Sequence, residues 1–312
     1  MIQNNSFPKV IFFGTPDFAV ESLDAILNAS IPVLAVVTTP DKPAGRGRKI
    51  QTSAIKDFAV EKNLPVLQPE NLKDADFLKE LSSYNADLFI VVAFRMLPEV
   101  VWNMPPLGTI NAHASLLPKY RGAAPIHWAI INGETETGVT TFQLRQEIDT
   151  GPLLLQEKIK ISKEDTLETL YNKLKIVAGT ILVKTINGIA NNSISSKEQE
   201  WTKDLPLAPK VDRNTGKIDW NKKSEEIYNL IRGLNPFPTA TCDFEGEVMK
   251  VFKSSFSLDK EKNFEIGSMD TDKKSYIRFR TRDGWLNILE AQLAGKRRMD
   301  IKDLLRGYRW KD

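Results

Sequence analysis

The pattern that most restricts the fold of this chain lies in its first half, where short apolar runs recur between segments of helical periodicity. Residues 10–13 (VIFF) are followed by the turn Gly14-Thr15-Pro16-Asp17 and then by apolar positions at Val20, Leu23, Ile26 and Leu27. That order predicts a strand, a tight turn and a helix. Residues 33–37 and 88–92 read as further strands, apolar on both faces, and residues 109–112 as one that ends in polar positions. A strand apolar on both faces needs cover on both, and intervening helices supply it. The pattern therefore predicts an α/β, Rossmann-like domain on a mostly parallel sheet. Residues 138–144 and 153–161 read as later strands around a loop, and residues 166–189 as a long closing helix.

At 312 residues the chain exceeds the length at which one core keeps growing, so two domains are expected. The texture changes after the long helix: residues 191–196 are polar, and Leu205-Pro206-Leu207-Ala208-Pro209 has the character of a linker. Beyond it, short alternating stretches at 248–252, 276–280 and 285–289, separated by Gly- and Asp-containing turns, predict a small antiparallel barrel or sandwich. The expected division is 1–190, a linker at 191–209, and 210–312.

Several classes fall away at once. No apolar run reaches the roughly 18 residues of a membrane span. The opening MIQNNSFPKV has neither the basic nor the apolar region of an export signal, so a cytoplasmic protein is expected. Cys242 is the only cysteine, which excludes a disulfide within the chain. With His113 and His127 as the only histidines, ligands for a Cys/His zinc site are lacking, and no metal is expected. The net charge of +3 is unevenly spread: residues 210–312 hold 22 Lys/Arg against 17 Asp/Glu, and residues 1–209 hold 21 against 23. A basic final third suits a polyanionic partner.

Three segments carry candidate chemistry. Asn111-Ala112-His113 lies where a strand is expected to end, the usual address of a ligand in an open α/β sheet. Residues i and i+2 of a strand share a face, so Asn111 and His113 can point into one cleft and there hold a developing oxyanion. The polar loop Gln146-Glu147-Ile148-Asp149-Thr150-Gly151-Pro152 offers a carboxylate that can accept from an imidazole, fix its tautomer and stabilise its protonated form. Pro118 and Gly122 shape the loop that follows the histidine, and Pro125 opens a helix. Taken singly, each segment also reads as a structural histidine, a plain turn or a basic loop.

The string NAHASLLPKYRGAAPI, with DTG in the next strand–loop unit, resembles the signature of the 10-formyltetrahydrofolate-dependent formyltransferases. The resemblance implies a catalytic trio of Asn111, His113 and Asp149, and 10-formyltetrahydrofolate as co-substrate. It also implies a folate cleft framed by Phe94, Arg95, Met96 and Leu97, by Ser115, Leu116, Leu117 and Pro118, and by Gln143 and Glu147. Phe94-Arg95 departs from the Tyr-Gly that many members carry.

Within that family, substrate choice falls to the remaining segments. Residues 38–49 place Lys42, Arg46, Arg48 and Lys49 among glycines in a flexible basic loop able to reach phosphates. It is similar to the inserted loop with which the tRNA-acting branch grips an acceptor arm, Arg46 standing at the critical position. Residues 291–299 and 305–308 resemble the end of that branch's barrel, implying an OB-like C-terminal domain. Lys296, Arg297, Arg298 and Lys210 are its implied tRNA contacts. The expected partner is initiator methionyl-tRNA, the expected product N-formylmethionyl-tRNA, and the expected state a monomer. A formyltransferase for a small amine needs neither basic element. A dinucleotide enzyme needs a third glycine that the turn after residue 13 lacks. A non-catalytic nucleic-acid module has no use for Asn111, His113 and Asp149 together.

Overall fold

The computed structural model describes residues 7–44, 49–259 and 264–310. They form two compact units. One holds the described residues to Gly122 with Thr137–Ile159 and Tyr171–Leu207; the other holds Ala123–Glu136, Lys160–Leu170 and the chain from Ala208 on.

The chain begins β1 (Val10–Gly14), α1 (Asp17–Asn28), β2 (Val33–Val37), β3 (Lys42–Ala44), β4 (Lys49–Gln51), α2 (Ala54–Glu61) and β5 (Val66–Leu67). It continues α3 (Ala75–Ser83), β6 (Leu88–Val92), α4 (Glu99–Trp102), β7 (Thr109–His113), α5 (Pro125–Ile131), β8 (Glu136–Gln143), β9 (Leu153–Lys160) and α6 (Leu167–Ala190). The main sheet runs β5-β2-β1-β6-β7-β8-β9. Its β2–β5, β1–β2, β1–β6 and β6–β7 pairs are parallel, and β7–β8 is antiparallel. This is the mostly parallel, Rossmann-like sheet expected from the alternation of strands and helices.

Both faces of the sheet are apolar because β1 and β6 are buried along their whole length. Ile11 and Phe13 pack with Ala35, Val37, Phe89 and Val91 on one side. Each fully buried side chain of this size contributes about 1.5–3 kcal/mol. The strand order reverses between β1 and β6, which opens a crevice beyond their carboxyl ends. Gly14 closes that corner: a Cβ there would lie 2.6 Å from the Ala19 Cβ and 2.9 Å from the Phe12 ring, so only glycine lets α1 approach.

The rest of the chain adds α7 (Ser224–Gly233), β10 (Ala240–Phe244), β11 (Glu247–Leu258), β12 (Met269–Thr271), β13 (Ile277–Arg280), β14 (Gly284–Leu293), β15 (Met299–Asp300) and α8 (Ile301–Arg306). Its antiparallel sheet is ordered β10-β11-β14-β13-β12, with β15 on β14. Register shifts around Lys253 bend β11, as a strand must bend to curl a sheet into a half-barrel. The OB-like architecture is as expected, but the strands run well past the expected stretches and α7 was not foreseen. Its signals are nonetheless local. Glu226 accepts from the Lys223 backbone N–H at 3.0 Å, and Ile227 and Ile231 turn into the barrel core.

Among the described residues no helix is long and apolar enough to cross a membrane. No cluster of His, Cys, Asp and Glu is arranged there to hold a metal ion.

Candidate active site

Strand β7 carries Asn111 and His113 on one face. In the ladder Asn111 stands between Val91 of β6 and Phe142 of β8, and His113 opposite Thr140. His113 is 8% exposed, and its Nε2 lies 2.8 Å from the Tyr120 carbonyl oxygen. A carbonyl can only accept, so Nε2 carries a hydrogen and Nδ1 is the nitrogen left for chemistry. Nδ1 faces Asp149 Oδ2 at 3.7 Å, and Asp149 is also 8% exposed. That separation exceeds a hydrogen bond. The tautomer is therefore set by Tyr120, not by the carboxylate expected to set it, and Asp149 acts on Nδ1 through its field.

Asp149 is held from two sides. Its Oδ2 accepts the Gly122 N–H at 2.9 Å, and its backbone stands at φ 54°, a conformation that its surroundings must impose. The turn is pressed against β8: a Cβ on Gly151 would fall 1.7 Å from the Gln143 carbonyl oxygen. Asn111 is half-buried, and among the described residues its amide makes no side-chain hydrogen bond. A donor is thus uncommitted beside the His113–Asp149 pair.

The loop between His113 and α5 is fixed by buried polar groups. Thr140 Oγ1 donates to the Ser115 carbonyl at 2.6 Å and accepts from the Leu117 N–H at 3.1 Å; Gln156 donates to the Leu117 carbonyl at 2.8 Å. Ser115 Oγ donates to the Lys119 carbonyl at 2.7 Å, and the Leu117–Pro118 peptide is cis. Residues of the expected linker close this loop. Tyr120 N–H donates to the Pro206 carbonyl at 2.7 Å, Arg121 bridges Leu207, and the Arg121 guanidinium stacks 4.5 Å from the Trp201 ring. Burial pushes the Arg121 pKa down, against the pull of Asp149 and Glu147. Arg121, Gly122, Ile148, Thr150, Trp201 and Leu207 line a groove at this corner, with Ile148 62% exposed. Neither Trp201 nor Gln199, which bonds to the Asp149 turn, belongs to any motif legible in the sequence, since both lie some fifty residues downstream.

The expected folate residues differ in placement. Phe94 to Leu97 follow β6 at the reversal point, with Met96 exposed and Leu97 buried. Arg95 is spent on structure: its guanidinium donates to the Pro69 carbonyl and, at 2.9 Å, to the Glu70 carbonyl, and it lies over the Phe94 ring. Ser115 and Leu117 are buried inside their loop, whereas Leu116 and Pro118 are half-buried. Gln143 ends β8, and Glu147 is exposed on the rim of the groove.

The expected tRNA contacts also divide. Arg46 and Arg48 lie outside the described residues, as does the Lys49 side chain. The arms flanking them pair as β3 and β4, with Lys42 opposite Gln51 and Ala44 opposite Lys49. Asp41 anchors its base, accepting from Lys56 Nζ at 2.5 Å and Gln68 Nε2 at 2.8 Å, and these bonds hold its carboxyl below the usual range. Lys210, Lys296 and Arg297 are exposed. Arg298 is engaged: it makes two bonds to Glu290, at 2.7 and 2.6 Å, and stacks 4.3 Å from the Phe252 ring.

Residues 8–186 match the formyl transferase family, and residues 210–309 match the formyl transferase C-terminal domain. A methionyl-tRNA formyltransferase of Bacteroides thetaiotaomicron is 48% identical over 312 residues, spanning 97% of each chain. That of Flavobacterium johnsoniae is 47% identical, again over 97% of each. Among solved structures, WlaRD, a sugar 3N-formyl transferase crystallised in the presence of dTDP and 5-N-formyl-THF, matches with a TM-score of 0.66. Its identity is 25%, over 93% of this chain and 99% of that one. HypX from Aquifex aeolicus, solved with tetrahydrofolic acid, shares the fold at a TM-score of 0.63 and 17% identity, over 96% of this chain and 47% of that one.

Proposed function

The chain belongs to the methionyl-tRNA formyltransferase family, and we propose that it transfers formyl from 10-formyltetrahydrofolate to the α-amine of initiator methionyl-tRNA through Asn111, His113 and Asp149. The observation that carries this reading is Nδ1 of His113, left free for chemistry by the Tyr120 carbonyl and facing Asp149.

The folate supplies an activated formyl carbon, and the chain supplies groups that respond to charge. As the amine adds to that carbon, the formyl oxygen becomes anionic. The Asn111 amide and a protonated His113 Nδ1 donate to it in a site sheltered from water, where such donors act most strongly. Asp149 stabilises the positive imidazole and takes up the proton that the attacking amine must lose; the proton then passes to the departing folate nitrogen. The residues after β6, the Leu116–Pro118 corner and Gln143 frame the folate. Lys42, Arg46, Arg48 and Lys49 take the acceptor-arm phosphates, joined by Lys210, Lys296 and Arg297. The enzyme works as a cytoplasmic monomer.

A formyl-transfer assay offering methionyl-initiator tRNA, methionyl-elongator tRNA and glycinamide ribonucleotide tests this function. Preference for the initiator species is expected; preference for the ribonucleotide would refute it.

A further inference from the structure

The segment between the two matched regions, residues 187–209, sends one side chain directly to the reaction centre. Gln199 donates from its amide nitrogen to the Asp149 carbonyl at 2.9 Å and to the Gly151 carbonyl at 2.7 Å. Its amide oxygen accepts from Nε and Nη2 of Arg121 at 3.1 and 2.7 Å. Every hydrogen-bonding direction of the amide is used, and all of them end on the Asp149 turn or on the loop that faces it. The residue after Arg121 is Gly122, whose N–H holds the Asp149 carboxylate. One amide thus ties the backbone of Asp149 to the loop that grips its side chain.

The turn needs such a tie. Asp149 is in the left-handed region at φ 54°, and a non-glycine residue stays there only when its neighbours over-determine it. The Asp149 carboxylate stands 3.7 Å from His113 Nδ1, so a small rotation of the turn changes the field at that nitrogen.

We propose that Gln199 is a positioning residue for formyl transfer, holding Asp149 with its carboxylate towards His113 and acting through Asp149 without touching either substrate. The proposal rests on the assignment of Asp149 to the reacting trio. Both halves of the amide are needed. A glutamate has the same shape and still accepts from Arg121, but when ionised it turns negative oxygens on two carbonyls. Alanine removes both sets of bonds.

The test uses the full-length enzyme with Gln199→Ala, Gln199→Glu, Asp149→Asn and the corresponding double variants, assayed with methionyl-initiator tRNA and 10-formyltetrahydrofolate. The Glu variant, equal in volume, carries the test should the Ala variant fold poorly. Each Gln199 variant is expected to lower kcat by about 10- to 100-fold, the scale of losing buried hydrogen bonds, with KM for either substrate changed by less than about twofold. In the Asp149→Asn background the same substitutions should cost nothing more, because residues that act as a unit are non-additive. A purely structural role would give losses that multiply. Because the chain has only two histidines, its imidazole ¹⁵N spectrum reports on His113 with His127 as an internal control. The His113 nitrogens should move towards their positions in Asp149→Asn while those of His127 stay. Multiplying losses, a wild-type kcat in both Gln199 variants, or an unmoved His113 spectrum would overturn the proposal. Full turnover by Asp149→Asn alone would instead overturn the trio, and that single variant tells the two failures apart.

Discussion

His113 owes its tautomer to a backbone carbonyl. Had Asp149 been the hydrogen-bond partner of Nδ1 and water that of Nε2, the carboxylate, which only accepts, would have held the proton on Nδ1. The Tyr120 carbonyl at 2.8 Å instead places the proton on Nε2, with Nδ1 facing the carboxylate at 3.7 Å. Asn111, two residues earlier on the same strand, needs no such fixing because the ladder on both sides already sets its direction. Replacing either residue by alanine is expected to lower kcat by roughly 10²–10³, the cost of one oxyanion donor, while tRNA binding measured by filter retention persists. Near-normal turnover in both variants would remove them from the reaction. The Asn-x-His spacing was legible because strand geometry alone puts i and i+2 on one face. The part played by Tyr120 was not, because it depends on a turn with φ 62° that no residue type there announces.

At the scale of elements, the site is a junction of β7, β8 and two loops, and β8 is the member whose sequence says least about its duty. Thr140 sits in the middle of that strand with its side chain fully buried, and its hydroxyl joins both ends of the Ser115–Leu117 corner. Gly151 performs the opposite service by having no side chain, since the Asp149 turn passes too close to Gln143 for a Cβ. Gly151→Ala must push that turn away from β8. It is expected to reduce kcat by at least an order of magnitude, with a lowered melting temperature as the independent sign of backbone displacement. Unchanged kcat and melting temperature would show that the turn has room to yield. The basic hairpin makes a related point. Its arms β3 and β4 pair, and Asp41 fastens their base to Lys56 and Gln68. Cross-strand pairing and a long-range ion pair leave no mark on local composition.

At the scale of the whole molecule, the proposed recognition of a tRNA rests on charge placed on two regions of the chain. The basic surplus of residues 210–312 pointed to the second of them, but not to which cations are available. Lys296 and Arg297 are exposed, while Arg298 is held by Glu290 and Phe252. Arg46→Ala and the pair Lys296→Ala/Arg297→Ala are expected to raise KM for tRNA and leave that for folate unchanged. Each lost phosphate contact should also reduce the slope of log KM against log salt by about one unit. Arg298→Ala should move the salt slope less than either. An unaltered slope in the Arg46 variant would show that the hairpin does not meet phosphate.

The alternation of strands and helices in the first half, the mostly parallel character of the first sheet and the antiparallel character of the second followed from the chain's own periodicity; α7 and the β3–β4 pairing did not. Periodicity is a local property, and burial on one face or two reads it out directly. Strand geometry alone gave the shared face of Asn111 and His113, whereas the trio with Asp149 was named by the resemblance of these strings to the formyltransferase signature. What waited for the tertiary structure were the groups that hold those residues and their loop in place: Tyr120 through its carbonyl, Thr140 from β8, and Gln199 from the segment after α6. Each acts by a hydrogen bond across many residues or in an uncommon backbone conformation. Such bonds exist only once the chain has brought distant segments together.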